Sequence, residues 1–146
     1  MPEKNLIEAS AEIKKLYEAS VRASKSSYSP YSEFRVGAVA VTSDGTFFEG
    51  TNVENVSYSL CMCAERNAIF QAVMAKQIKV TSISVYVETE RFPLPCGACL
   101  QVMTEFMSLD SPVYIFNKTD KYISEPLSYF IPHPFDRSIL LDKKHF

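Results

Sequence analysis

With 146 residues, 47% of them hydrophobic and 22% charged, the chain has the composition of one globular domain able to bury a core. A net charge of −2 removes any general electrostatic pull toward nucleic acid or an anionic membrane. No apolar run reaches membrane-spanning length, and the N-terminus lacks the apolar stretch of a signal peptide, which points to the cytoplasm.

Leu6, Ala9, Ile13, Leu16, Tyr17 and Ser20 share one helical face, with Glu8, Glu12, Lys14 and Lys15 largely outside it. This predicts an amphipathic helix ending near Ser24 to Ser26. The polar stretch from Lys25 to Ser32 has no helical period, and Pro30 disfavours a helical Ser29, so a loop follows. Phe34 to Thr42 and Thr46 to Asn52 read as a hairpin around Ser43-Asp44-Gly45-Thr46. Val53 to Met62 has no clear period. Ala68, Ile69, Ala72 and Val73 then mark a buried helix starting at Cys63, and Val80 to Glu88 alternates as a third strand. A proline-bearing loop from Glu90 to Pro95 leads into a third helix at Cys96, with Cys99, Val102, Met103 and Phe106 inward. Pro112 to Phe116 and Tyr122 to Ser124 are the last strands, and Pro126 opens a short helix through Phe130. No repeat or linker interrupts this order. Residues 1–146 are therefore expected to form a single α/β domain, a three-layer α-β-α arrangement around a five-stranded sheet.

In a reducing compartment the four cysteines are expected as metal ligands or catalytic thiols before disulfides. Cys63-Ala64-Glu65-Arg66 and Pro95-Cys96-Gly97-Ala98-Cys99 each stand at the start of an expected helix. There the unpaired backbone N–H groups and the helix dipole stabilise thiolates. Three cysteines can hold a zinc ion and leave its fourth position open for water. Glu65, two residues after the first of them, is free to move protons. Arg66 can offset the negative charge of three thiolates by hydrogen bonding to a sulfur. Spacing alone leaves other arrangements open. Cys61 would complete a closed four-cysteine site, the mark of a non-catalytic zinc-stabilised binding module. Its C-x-C spacing departs from the usual clamp, so it reads as a buried, inert thiol. Cys96 and Cys99 alone would suit a dithiol oxidoreductase, a reading that the distant Cys63-Ala64-Glu65 weakens. His133 and His145 have no ligand spacing to the cysteines.

C-x-E followed by P-C-x-x-C is the zinc deaminase signature with Cys in place of His as the first ligand. On these motifs, and on a match from about Tyr28 to Phe135, the chain resembles the cytidine deaminase family, specifically its small homotetrameric branch. The resemblance implies a mixed sheet, one zinc per subunit on Cys63, Cys96 and Cys99, and Glu65 as proton carrier with Arg66 bonded to a ligand sulfur. The implied reaction is hydrolytic deamination of free cytidine and deoxycytidine to uridine and deoxyuridine, within pyrimidine salvage. Asn52-Val53-Glu54-Asn55 matches the family's N-x-E-N segment, which implies that Asn52 and Glu54 hold the ribose. By the same resemblance Phe34 packs near the base and Ala64 presents backbone to the pyrimidine edge. Tyr58 and Phe135 match residues contributed across the subunit boundaries of a homotetramer. Leu100 stands where many relatives carry Arg, and Arg35 where some carry Pro, departures that bear on subunit contacts or substrate preference. Free ribose hydroxyls suit the Asn52/Glu54 pair better than another aminopyrimidine nucleoside such as blasticidin S. The absent basic stripe argues against a polynucleotide.

Overall fold

The structure is a computed structural model that describes residues 1–141, so His145 and the end of the expected domain lie outside the described residues. Helix α1, Ala11–Ser24, is opened by Ser10, whose hydroxyl oxygen accepts the Ile13 N–H at 3.3 Å. It begins later than its hydrophobic period suggests. Leu6 is buried ahead of the helix, just past a two-residue strand β1, Lys4–Asn5. Strands β2, Val36–Thr42, and β3, Phe47–Thr51, form the expected hairpin. Gly45 takes a φ of 83° at its tip, and Asp44 Oδ1 accepts from the Thr42 hydroxyl and the Thr46 N–H. Then come α2, Ala64–Met74; β4, Val80–Val87; α3, Gly97–Phe106; β5, Pro112–Phe116; and β6, Lys121–Pro126. The short helices α4, Leu127–Phe130, and α5, Ser138–Leu141, follow, with Pro126 as the N-cap of α4 rather than inside its first turn.

Among the described residues one mixed sheet joins the strands in the order β1-β6-β5-β4-β2-β3. It has six strands because β1 pairs antiparallel with β6, and two residues are too few to show alternation in a sequence. The pair β4–β5 is parallel, and the others are antiparallel. Parallel neighbours need a crossover, and α3 supplies it.

Alternate residues of β2 serve opposite layers. Val39 and Val41 pack under α1 with Tyr86 and Phe116, and the Tyr17 ring meets those two rings edge-on at 5.7 and 5.4 Å. Ala38 and Ala40 face the other way, into the core beneath α2 and α3 with Ile83, Val85, Val113 and Ile115. The expected three layers are therefore present.

Two glycines govern how closely the helices approach. A Cβ at Gly37 would overlap the Ser20 carbonyl of α1, and one at Gly50 would overlap the α2 backbone at Ala64 and Ala68. Ala64, Ala68 and Ala72 recur at helical spacing and are fully buried. Small residues on both surfaces let α2 lie against the sheet, and this depth positions its N-terminus.

Candidate active site

Cys63 and Cys96 are the residues immediately before α2 and α3, both extended, with φ and ψ of −75° and 154° and of −73° and 161°. Neither uses its side chain to cap its helix, so both sulfurs are free to face another group. Cys99 comes from the first turn of α3 and is fully buried. The three sulfurs lie within 4.8 Å of one another, and Cys63 and Cys96 are 3.9 Å apart. Tetrahedral zinc with bonds of about 2.3 Å would hold sulfurs about 3.8 Å apart. The donor set fits that ion.

The Cys63 and Cys99 thiols hold their protons with unequal strength. Hydrogen bonding from the Cys99 thiol and the nearby Arg66 guanidinium hold the Cys63 thiol down at about 5, against the opposing effect of burial. The hydrogen bond with Cys63, together with burial, pushes Cys99 far above the ordinary thiol range. Arg66 donates from Nη2 to Cys63 Sγ at 3.3 Å, while its buried Nε has no partner among the described residues. That contact fits the expected charge-balancing position.

Glu65 lies in the first turn of α2, only 5% exposed, and burial pushes its carboxyl up to about 7. It reaches the wall of a cavity of about 550 Å³, a size suited to a small organic ligand. Cys63, Cys96, Phe34, Asn52, Glu54 and Tyr58 line the same cavity, so the structure brings most of the residues expected from sequence to one place. Cys99 sits behind this wall.

Other expected residues lie elsewhere. Ala64 is fully buried and outside the cavity lining. Phe135 is also outside it, with an exposed ring; its backbone is gripped by the Gln101 amide, which donates to its carbonyl at 2.9 Å and accepts its N–H at 3.2 Å. Leu100 is core, and Arg35 is exposed beside Tyr28 and Glu33 in a separate polar depression.

Cys61 corrects an expectation. It is half-buried on the cavity wall, not fully buried, and its sulfur accepts the Asn55 N–H at 3.3 Å. The 3-10 turn Tyr58–Leu60 and the Val53–Met62 bridge bring it round to that contact and away from the three-sulfur group. The four-cysteine site therefore does not form.

Sequence reasoning missed Ser32, Pro93 and Leu94, which also line the cavity. All three occur in loops where no period tells inward from outward. The proline-bearing approach to Cys96 was the nearest signal for the latter two.

The family model of the cytidine and deoxycytidylate deaminase zinc-binding region matches residues 10–115. The chain belongs to this family. It is 37% identical over 129 residues to a cytidine deaminase of Sporosarcina psychrophila, covering 88% of this chain and 95% of that one. Against a cytidine deaminase of Halalkalibacterium halodurans the identity is 39% over 120 residues, covering 82% and 91%. The fold is similar to the crystal structure of a cytidine deaminase from Burkholderia pseudomallei, with a TM-score of 0.80 and 41% identity over 84% of this chain and 98% of that one. As in this deaminase family, zinc is the cofactor, and Cys63, Cys96 and Cys99 form the group able to hold it.

Proposed function

We propose that the protein is a zinc-dependent enzyme that hydrolyses free cytidine and deoxycytidine to uridine and deoxyuridine with release of ammonia, a step of pyrimidine salvage. The observation that carries this reading is Glu65, buried next to the three-sulfur group and opening onto a nucleoside-sized cavity. Bound at those sulfurs, zinc supplies a Lewis acid that lowers the pKa of water. Glu65 takes a proton from the water whose oxygen bonds to C4 of the cytosine ring. It passes that proton to N3, then takes the proton of the new C4 hydroxyl and passes it to the amino nitrogen, so that C4=O forms as the C4–N bond breaks and ammonia leaves.

Arg66 balances the thiolate charge through its Cys63 contact. Asn52 and Glu54 hold the ribose, Phe34 packs near the base, and Ala64 offers backbone to the pyrimidine edge. Tyr58 and Phe135 act across subunit boundaries of a homotetramer with composite sites. An exposed Phe135 ring outside its own chain's cavity supports this arrangement, as do exposed Val56, Leu60, Phe70 and Met74. The chain works as one domain over residues 1–146, supported by a single sheet running from Lys4 to Pro126. Its four free cysteines support a location in the reducing cytoplasm.

The reading is tested by mixing purified protein with cytidine and following ammonia release and the ultraviolet change to uridine. Turnover is expected with zinc, is lost after chelation, and returns when zinc is restored. A folded, zinc-loaded sample that leaves both nucleosides intact would refute it.

A further inference from the structure

Glu54 presents a carboxylate to the cavity with most of its accepting capacity in use. Oε2 accepts the Tyr31 N–H at 2.9 Å and the Ser32 N–H at 3.3 Å, while Oε1 accepts the Ser32 hydroxyl. A carboxylate has about four lone-pair sites, so one is left, on Oε1. Asn52 is similarly committed. Its Oδ1 accepts the Val36 N–H at 2.9 Å and the Ser27 hydroxyl at 2.6 Å, and its Nδ2 donates to the Phe34 carbonyl at 2.7 Å. A single amide N–H remains. One spare donor and one spare acceptor match one hydroxyl group.

Ser32 limits that count. Its proton goes to Glu54 while its oxygen accepts the Phe34 N–H at 3.0 Å. Glu33 takes a φ of 57°, bending the turn between Ser32 and Phe34. The Ser32 hydroxyl is also the main reason that the Glu54 carboxyl lies below its ordinary range.

We infer that Ser32 is a specificity-setting positioning residue: by occupying one acceptor site on Glu54 Oε1, it leaves room to hold one ribose hydroxyl and not a second. This inference rests on the ribose-holding role proposed for Asn52 and Glu54. Cytidine and deoxycytidine share the 3′ hydroxyl on the sugar ring, so that is the group held. The 2′ hydroxyl finds no acceptor there, and the site does not distinguish the two nucleosides.

The test is kcat and KM for cytidine and deoxycytidine with the zinc-loaded protein, its Ser32→Ala variant and its Ser32→Thr variant. The unaltered protein should show kcat/KM values for the two nucleosides within about threefold of each other. Ser32→Ala frees an acceptor for the 2′ hydroxyl, so the cytidine-to-deoxycytidine ratio should rise about fivefold or more through KM, with kcat within about twofold. Ser32→Thr keeps the hydroxyl and should restore the original ratio. A loop that is only loosened would raise both KM values alike, and an unchanged ratio in Ser32→Ala overturns the inference. Ser32→Thr behaving as Ser32→Ala overturns it too, as does an unaltered enzyme preferring one nucleoside more than about tenfold. If the unaltered protein turns over neither nucleoside, the proposed function itself fails, an outcome distinct from these.

Discussion

The carboxyl proposed to carry the protons, Glu65, also bears on stability. Replacing it with Gln should lower cytidine turnover by about 10²–10⁴-fold while zinc content stays at one ion per chain, measured by metal analysis of the purified variant. In the metal-free protein the same group has a second effect. Its folded value of about 7 lies above the ordinary 4.5, so between these values the folded chain holds a proton that the unfolded chain has released. Glu65 therefore lowers stability progressively as pH rises through that window. Metal-free Glu65→Gln should exceed metal-free parent by about 3 kcal/mol at pH 8, relative to any difference at pH 4, in urea unfolding. An equal difference at both pH values would show that burial does not raise this carboxyl. At this scale Cys63, Glu65, Cys96 and Cys99 were legible because scarce, reactive residue types stand at fixed spacings before helices. Cys61 and Ser32 were not, because their neighbours in space are set by turns without a repeating pattern.

The depth of α2 against the sheet is where element packing controls the site. Gly50→Ala places a Cβ against the helix backbone at Ala68 and at Ala64, the residue between Cys63 and Glu65. Such overpacking should cost about 1–3 kcal/mol. Turnover per folded molecule should also drop, as α2 carries its N-terminus away from α3. Gly37→Ala overlaps α1 on the opposite face, so it should destabilise comparably with little change in turnover per folded molecule. Thermal melts paired with assays of the folded fraction separate the two, and equal loss of turnover in both variants would contradict the argument. The hairpin, α2 and α3 were readable from periodicity and turn chemistry. The late start of α1 was hidden because Leu6 lies in phase with the helix face while packing from outside it. Strand β1 and helix α5 are too short for any period to register.

Assembly belongs to the whole molecule. Helix α2 is apolar on two sides: its buried alanines face the sheet, and Phe70 and Met74 face outward, 40% and 85% exposed. A sequence that is apolar around a helix reads simply as a buried helix, which is why this outer surface could not be distinguished from core without the fold. Met74→Asp is expected to shift the protein to smaller species in sedimentation equilibrium with its helical signal intact. Turnover should fall as well, because the proposed homotetramer has composite sites. An unchanged mass distribution would exclude this face from the assembly.

The stretch bounded by Cys63 and Cys96, positions 33 apart in sequence, contains the whole of α2 and β4. β4 is the strand flanked by β2 on one side and β5 on the other. An ion gripped at both ends of that stretch acts as a drawstring, restricting the freedom that the unfolded chain would otherwise regain. Losing the ion therefore removes the Lewis acid that the reaction needs and gives that freedom back to the unfolded chain, which lowers the stability of the fold.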